Sequence, residues 1–108
     1  MGVLENLIIK LKEKKPQDWE SIVYGYETKI NLGSGKKYII KVMSFQGGKD
    51  YEYNEMHYNI DVLLDDRKEI NSFNDKIIEE LYNHIKKIQD GFVRSKNLEF
   101  EKKLVNLD

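Results

Sequence analysis

"IVYGYETKINLGSGKKYIIKVMSF", Ile22 to Phe45, is the stretch on which the fold of this chain turns. From Ile22 the residues alternate strictly: Ile22, Tyr24, Tyr26, Thr28, Ile30 and Leu32 fall on one side, Val23, Gly25, Glu27, Lys29 and Asn31 on the other. A period of two is that of a strand, so the pattern predicts one long, half-buried strand from Ile22 to Leu32. After Gly33-Ser34-Gly35 the alternation resumes in "KKYIIKVMSF", with Tyr38, Ile40 and Val42 sharing a face. The intervening Gly-Ser-Gly-Lys contains part of a phosphate-loop signature. Such a loop needs a glycine five residues before its Gly-Lys pair, a Ser or Thr after it, and a strand-to-helix setting. Those positions hold Ile30 and Lys37, and the segment joins strand to strand. Gly33 and Gly35 are explained instead as residues able to take the positive φ angles of a hairpin.

Working outward, Val3, Leu4, Leu7, Ile8 and Leu11 recur at helical spacing with Lys10, Lys12, Glu13 and Lys14 largely opposite, which predicts an amphipathic helix ended by Pro16. Trp19, at the entry to the first strand, is expected to anchor this helix on the sheet. Beyond the polar stretch "QGGKDYEYNE", "MHYNIDVLL" reads as a third strand. Met56, Tyr58, Ile60, Val62 and Leu64 form its buried face, and His57, Asn59 and Asp61 its solvated one. A charged turn, "DDRKE", follows. Ser72 then has the character of an N-cap, Asp75 supports a first turn, and Phe73, Ile77, Leu81, Ile85, Ile88 and Phe92 are helically spaced, with Gly91 marking the end. In "NLEFEKKLVNLD" the spacing of Phe100, Leu104 and Leu107 favours helix. The predicted fold is α+β, a single domain over 1–108: a three-stranded antiparallel sheet covered on one face by helices, in the order α-β-β-β-α with a helical C-terminal extension.

Composition removes several functions. The 108 residues include no cysteine, which excludes a disulfide framework, a thiolate metal site and a cysteine nucleophile. A domain of this size buries roughly 65% of the surface its unfolded chain exposes and can fold without staples. No apolar run has the length of a membrane span, and "MGVLENLIIKLKEK" carries charges where a signal peptide has an apolar block, so a cytoplasmic protein is expected. Lys and Arg number 18 against 19 Asp and Glu, a balance that argues against nucleic acid as the main partner. The absence of alanine and the surplus of lysine, Ile, Asn and Tyr point to A/T-rich codons, hence a low-GC bacterium or one of its phages or mobile elements.

No catalytic constellation is legible, so the chain is read as a non-enzyme without cofactor or metal. His84 follows Glu80 at helical spacing, but a metal site needs further ligands and none stands at a fixed spacing. Asp61, Asp65 and Asp66 could attract magnesium, yet Arg67 and Lys68 follow at once, and mixed charge is the mark of a solvated turn. The element order α-β-β-β-α is also that of the double-stranded-RNA-binding domain, which grips phosphate with lysines at the start of its last helix. The corresponding "DDRKEINSFNDK" is rich in acids. The basic helix face with Lys10, Lys12, Lys14 and Lys15 is the remaining electrostatic patch. The segment "KDYEYNE" stands apart, because it sets Tyr51 and Tyr53 among Asp50, Glu52 and Glu55. Tyrosines among carboxylates suit a basic protein partner, and these five residues are the candidate binding site.

Two segments, "PQDWESIVYGYE" (16–27) and "LYNHIKKIQDGF" (81–92), resemble the YezG family of bacterial antitoxin and immunity proteins, which act by binding a toxin. The resemblance covers under a quarter of the chain and assigns no functional residue. It implies an antitoxin or immunity protein. The missing catalytic constellation, near-neutral charge, small size, A/T-rich origin and acidic tyrosine segment lead to a small protein-binding inhibitor of a basic nuclease or toxin, whether an immunity protein, an antitoxin or a phage-encoded inhibitor of a bacterial defence nuclease. The alternative is a nucleic-acid-binding or mobile-element accessory module.

Overall fold

The computed structural model describes residues 2–31, 35–46, 56–73 and 76–105, with the backbone alone for 70–73. Helix α1 (Val3–Lys12) and a single 3-10 turn (Pro16–Asp18) lead into five strands: β1 (Glu20–Ile22), β2 (Gly25–Asn31), β3 (Lys37–Gln46), β4 (Met56–Leu64) and β5 (Arg67–Phe73). A long helix, α2 (Lys76–Val105), follows. The strands form one antiparallel sheet in chain order, β1-β2-β3-β4-β5, so every connection is a hairpin between neighbours.

The fold is thus α+β with an antiparallel sheet, but the sheet has five strands and not three. One extra strand arises because the run Ile22–Leu32 is broken by a turn at Val23-Tyr24, with Ile22 paired to Gly25. The hairpin moves Ile22 to the face of Gly25 and Glu27, away from Tyr26, but leaves the alternation within Gly25–Asn31 as the sequence reads it. The other is β5. Ser72 is not an N-cap: it pairs with Ile60 inside the sheet, and α2 begins at Lys76. The order α-β-β-β-α, and with it the likeness to the RNA-binding domain, does not hold. Gly91 does not end the last helix, which continues through the C-terminal segment as the spacing of Phe100 and Leu104 predicts.

Helices and sheet share one core. Leu7, Ile8 and Leu11 of α1, Trp19, Ile40 and Val42 of β3, Ile60 and Val62 of β4, and Ile78, Leu81 and Ile85 of α2 are buried together. Register explains why: Val42 stands opposite Ile60 and Ile40 opposite Val62, which makes a continuous apolar patch beneath the helices. Tyr82 of α2 lies between Tyr26 and Tyr58, with ring centroids 5.6 and 5.7 Å away. Trp19 is 5% exposed, in keeping with its expected role as the anchor between α1 and the sheet.

Hairpin chemistry follows the backbone. Asp65 and Asp66 both have positive φ, 52° and 64°, and close the two-residue β4–β5 turn in the manner of a type I′ hairpin, for which Asp is a tolerated residue. Gly35 has φ +77°, as the hairpin reading of the glycine segment requires; Gly33 lies outside the described residues. At Gly25 a side chain has no room, since a Cβ would run into the Val42 carbonyl oxygen and lie 2.8 Å from the Met43 Cα. No helix among the described residues is long and apolar enough to cross a membrane.

Candidate functional site

The helices cover the sheet face that carries Tyr26, Ile40, Val42, Tyr58 and Ile60. Alternation sends the other half of the side chains to the opposite face, on which no described helix packs. Across this open face Glu27, Lys41, Asp61 and Asn71 are successive partners from β2 to β5. Lys41 lies 3.9 Å from Glu27, and Lys68 3.6 Å from Asp61. Half-buried Ile39, Met43, Phe45 and Leu63 stand between these charges.

The middle of this face departs from the sequence reading. His57, Asn59 and Asp61 were expected in solvent but are 2%, 5% and 5% exposed. In a three-stranded sheet the third strand is an edge, whereas here β4 pairs with β5 as well as β3 at Asn59 and Asp61; His57 lies beyond the β5 pairing, opposite Phe45 of β3. Asp61 therefore does not group with Asp65 and Asp66, which are exposed in the hairpin turn, but is held by the Lys68 ammonium. The Asn59 amide donates to Asp61 Oδ1 at 3.4 Å, while its own Oδ1 accepts no hydrogen bond among the described residues. No group of three or more His, Asp or Glu able to hold a metal occurs among the described residues. Glu80 is exposed on α2 and His84 half-buried.

One corner of the open face is aromatic. Phe45 and His57 are directly opposed on β3 and β4 with ring centroids 6.1 Å apart, and Tyr24 meets Phe45 edge-on at 6.3 Å. Tyr24 has φ 70°, a conformation that bulky residues rarely adopt. Its carbonyl accepts a hydrogen bond from Ser44 N–H at 2.8 Å, which ties the turn to β3. Even so the residue is 65% exposed, beside Val23 at 75%. Sequence reasoning missed this tyrosine because it took Tyr24 for an inward residue of a continuous strand. A hairpin tip with neither Asn nor Gly in its two-residue turn leaves little local signal.

The candidate residues Asp50, Tyr51, Glu52, Tyr53 and Glu55 lie outside the described residues. Their segment is attached to the aromatic corner: it leaves the sheet at Gln46 and returns at Met56, which are partners next to the Phe45–His57 pair. The basic helix face is reduced, because Lys14 turns inward to donate to the Lys29 carbonyl at 2.9 Å. Lys10 stands at a mostly apolar cleft of about 480 Å³ that is lined by Val3 and Leu7 of α1 and by Tyr38 and Val62 of the sheet.

Comparison with family models, curated proteins and solved structures gives no match.

Proposed function

We propose that this chain acts by binding another protein, as a small stoichiometric inhibitor of the immunity, antitoxin or anti-nuclease kind, and that the aromatic corner of its open sheet face is the contact. The observation that carries the reading is Tyr24. A tyrosine at φ 70° is strained, on the order of 1–3 kcal/mol, where Gly would turn the chain without cost. What the residue adds is an exposed, amphipathic ring held edge-on by Phe45. Tyrosine is among the residues that dominate interface energy, and a ring already fixed by a neighbour loses little freedom on binding.

The surroundings suit the same role. Val23 and Met56 add exposed apolar surface, and the attached segment contributes two tyrosines and three carboxylates. Those carboxylates favour a basic partner, such as a nuclease whose substrate channel is positive.

The deciding variant is Tyr24→Gly, which removes the ring and accepts the backbone angle. With the parent chain as bait in its source cell and the captured protein purified, this variant should melt no lower than the parent yet lose about 2 kcal/mol or more of binding. A partner held with unchanged affinity overturns the site. Submicromolar binding of the parent to duplex RNA or DNA with a steep salt dependence overturns the function and favours the nucleic-acid alternative.

A further inference from the structure

We infer that two copies of this chain pair through the exposed C-terminal half of α2 as a short parallel coiled coil. The inference does not rest on the binding function proposed above and concerns different residues. Helix α2 is 30 residues long, about 45 Å, but its buried residues Ile78, Leu81 and Ile85 all lie in its first half. From Val93 to Val105 every residue is exposed. The radius of gyration is 16.8 Å against about 13 Å for a compact chain of this length, as a projecting arm requires.

The arm has its own seam. Val93, Asn97, Phe100 and Leu104 follow one another at intervals of four, three and four, the spacing of alternating d and a positions in a heptad. At 100° per residue they form a stripe about 60° wide, rotated about 100° from the stripe that packs on the sheet. The seam therefore points sideways from the body of the protein. Two copies related by a twofold axis along their arms set the sheet-packed stripes of their α2 helices on opposite sides of that axis. Val93, Phe100 and Leu104 are 54%, 61% and 52% exposed, apolar surface that this pairing would remove from water.

Charge selects the occupant and its direction. With Asn97 at an a position, Lys96 and Lys103 occupy g and Arg94 and Glu101 occupy e. In a parallel pair each g residue faces the e residue five positions later on the other helix, so Lys96 of each copy meets Glu101 of the other. Antiparallel pairing sets Arg94 against Glu101 but also Lys96 against Lys103 and Asn97 against Phe100, so its attraction is cancelled by a like-charge pair and its amide is left facing a ring. Parallel pairing instead sets Asn97 against Asn97, where the two amides hydrogen-bond across the seam and fix the register. Upstream, Lys86 and Asp90 fall on the same stripe and end the seam, which limits it to about 18 Å of helix and makes the association weak and concentration-dependent.

Sedimentation equilibrium of the full chain over a wide concentration range should show a monomer–dimer equilibrium. Phe100→Asp should be monomeric at every concentration with unchanged helix content. Lys96→Glu should weaken the dimer about tenfold, and Lys96→Glu combined with Glu101→Lys should restore it. Because the chain has no cysteine, Asn97→Cys reports direction: only a parallel, in-register pair places the two thiols together for oxidation to a disulfide dimer. A parent chain that stays monomeric at the highest concentration, a Phe100→Asp dimer as tight as the parent's, or an Asn97→Cys dimer that does not cross-link overturns the inference.

Discussion

The side-chain amide of Gln89 donates to the Pro16 carbonyl at 2.7 Å, joining residues 73 positions apart. This bond and one from Thr28 seat the 3-10 turn, which has a capping bond of its own. Lys15 N–H donates to the Asp18 carboxylate at 2.9 Å, and the Thr28 hydroxyl to the Asp18 carbonyl at 2.7 Å. A turn with few internal hydrogen bonds is thus held by α2 on one side and β2 on the other. Gln89→Ala should cost about 1 kcal/mol, a fall of about 4–8 °C in Tm, and an unchanged Tm would show the bond to be idle.

Trp19 follows this turn and is buried with Leu11 and Ile85 in the core. Trp19→Ala should cost about 3–5 kcal/mol by the cavity it leaves. Denaturant titration measures this directly, and a loss below about 1 kcal/mol would mean that the site collapses around the smaller side chain.

Gly25 has the Val42 carbonyl oxygen where a Cβ would be, so β2 and β3 approach closely beside the Tyr24 turn. Gly25→Ala should destabilise the fold by about 3 kcal/mol, because the obstacle is backbone and cannot swing aside. Gly91 has open space at the same test, and Gly91→Ala should instead stabilise α2 by up to about 1 kcal/mol. Equal melting temperatures for the two variants would contradict the β2–β3 register.

Burial pushes the Tyr26 hydroxyl above its ordinary 10.0, and the nearby Tyr82 and Asp90 act in the same direction. The folded chain then holds this proton more tightly than the unfolded chain does. Stability should fall as pH rises through 10, where only the unfolded state readily releases it. Tyr26→Phe removes this contribution, so the difference in Tm between parent and variant should change across the alkaline range. Parallel Tm–pH curves would refute the link.

The apolar patch beneath the helices was legible in the residues alone. Alternation in Tyr38, Ile40 and Val42 and in Tyr58, Ile60 and Val62, together with helical spacing in Leu81, Ile85 and Ile88, places the core, since periodicity states which side chains share a face. Tertiary structure decided whether a face is covered and where a strand begins. Ile22 to Leu32 alternates as one strand would, and only the pairing of Ile22 with Gly25 shows two strands joined at Val23-Tyr24, with Ile22 on the opposite face from Tyr26. Arg67 to Phe73 carries too little apolar pattern to declare a strand; it becomes one because the free edge of β4 offers it hydrogen bonds. That pairing makes β4 interior over Asn59–Leu64, and the burial of His57, Asn59 and Asp61 is likewise something that no pattern within β4 itself contains. The arm of α2 is the converse case: Val93, Phe100 and Leu104 have the spacing of a buried stripe, yet they are exposed, and the buried residues of α2 are Ile78, Leu81 and Ile85 of its first half.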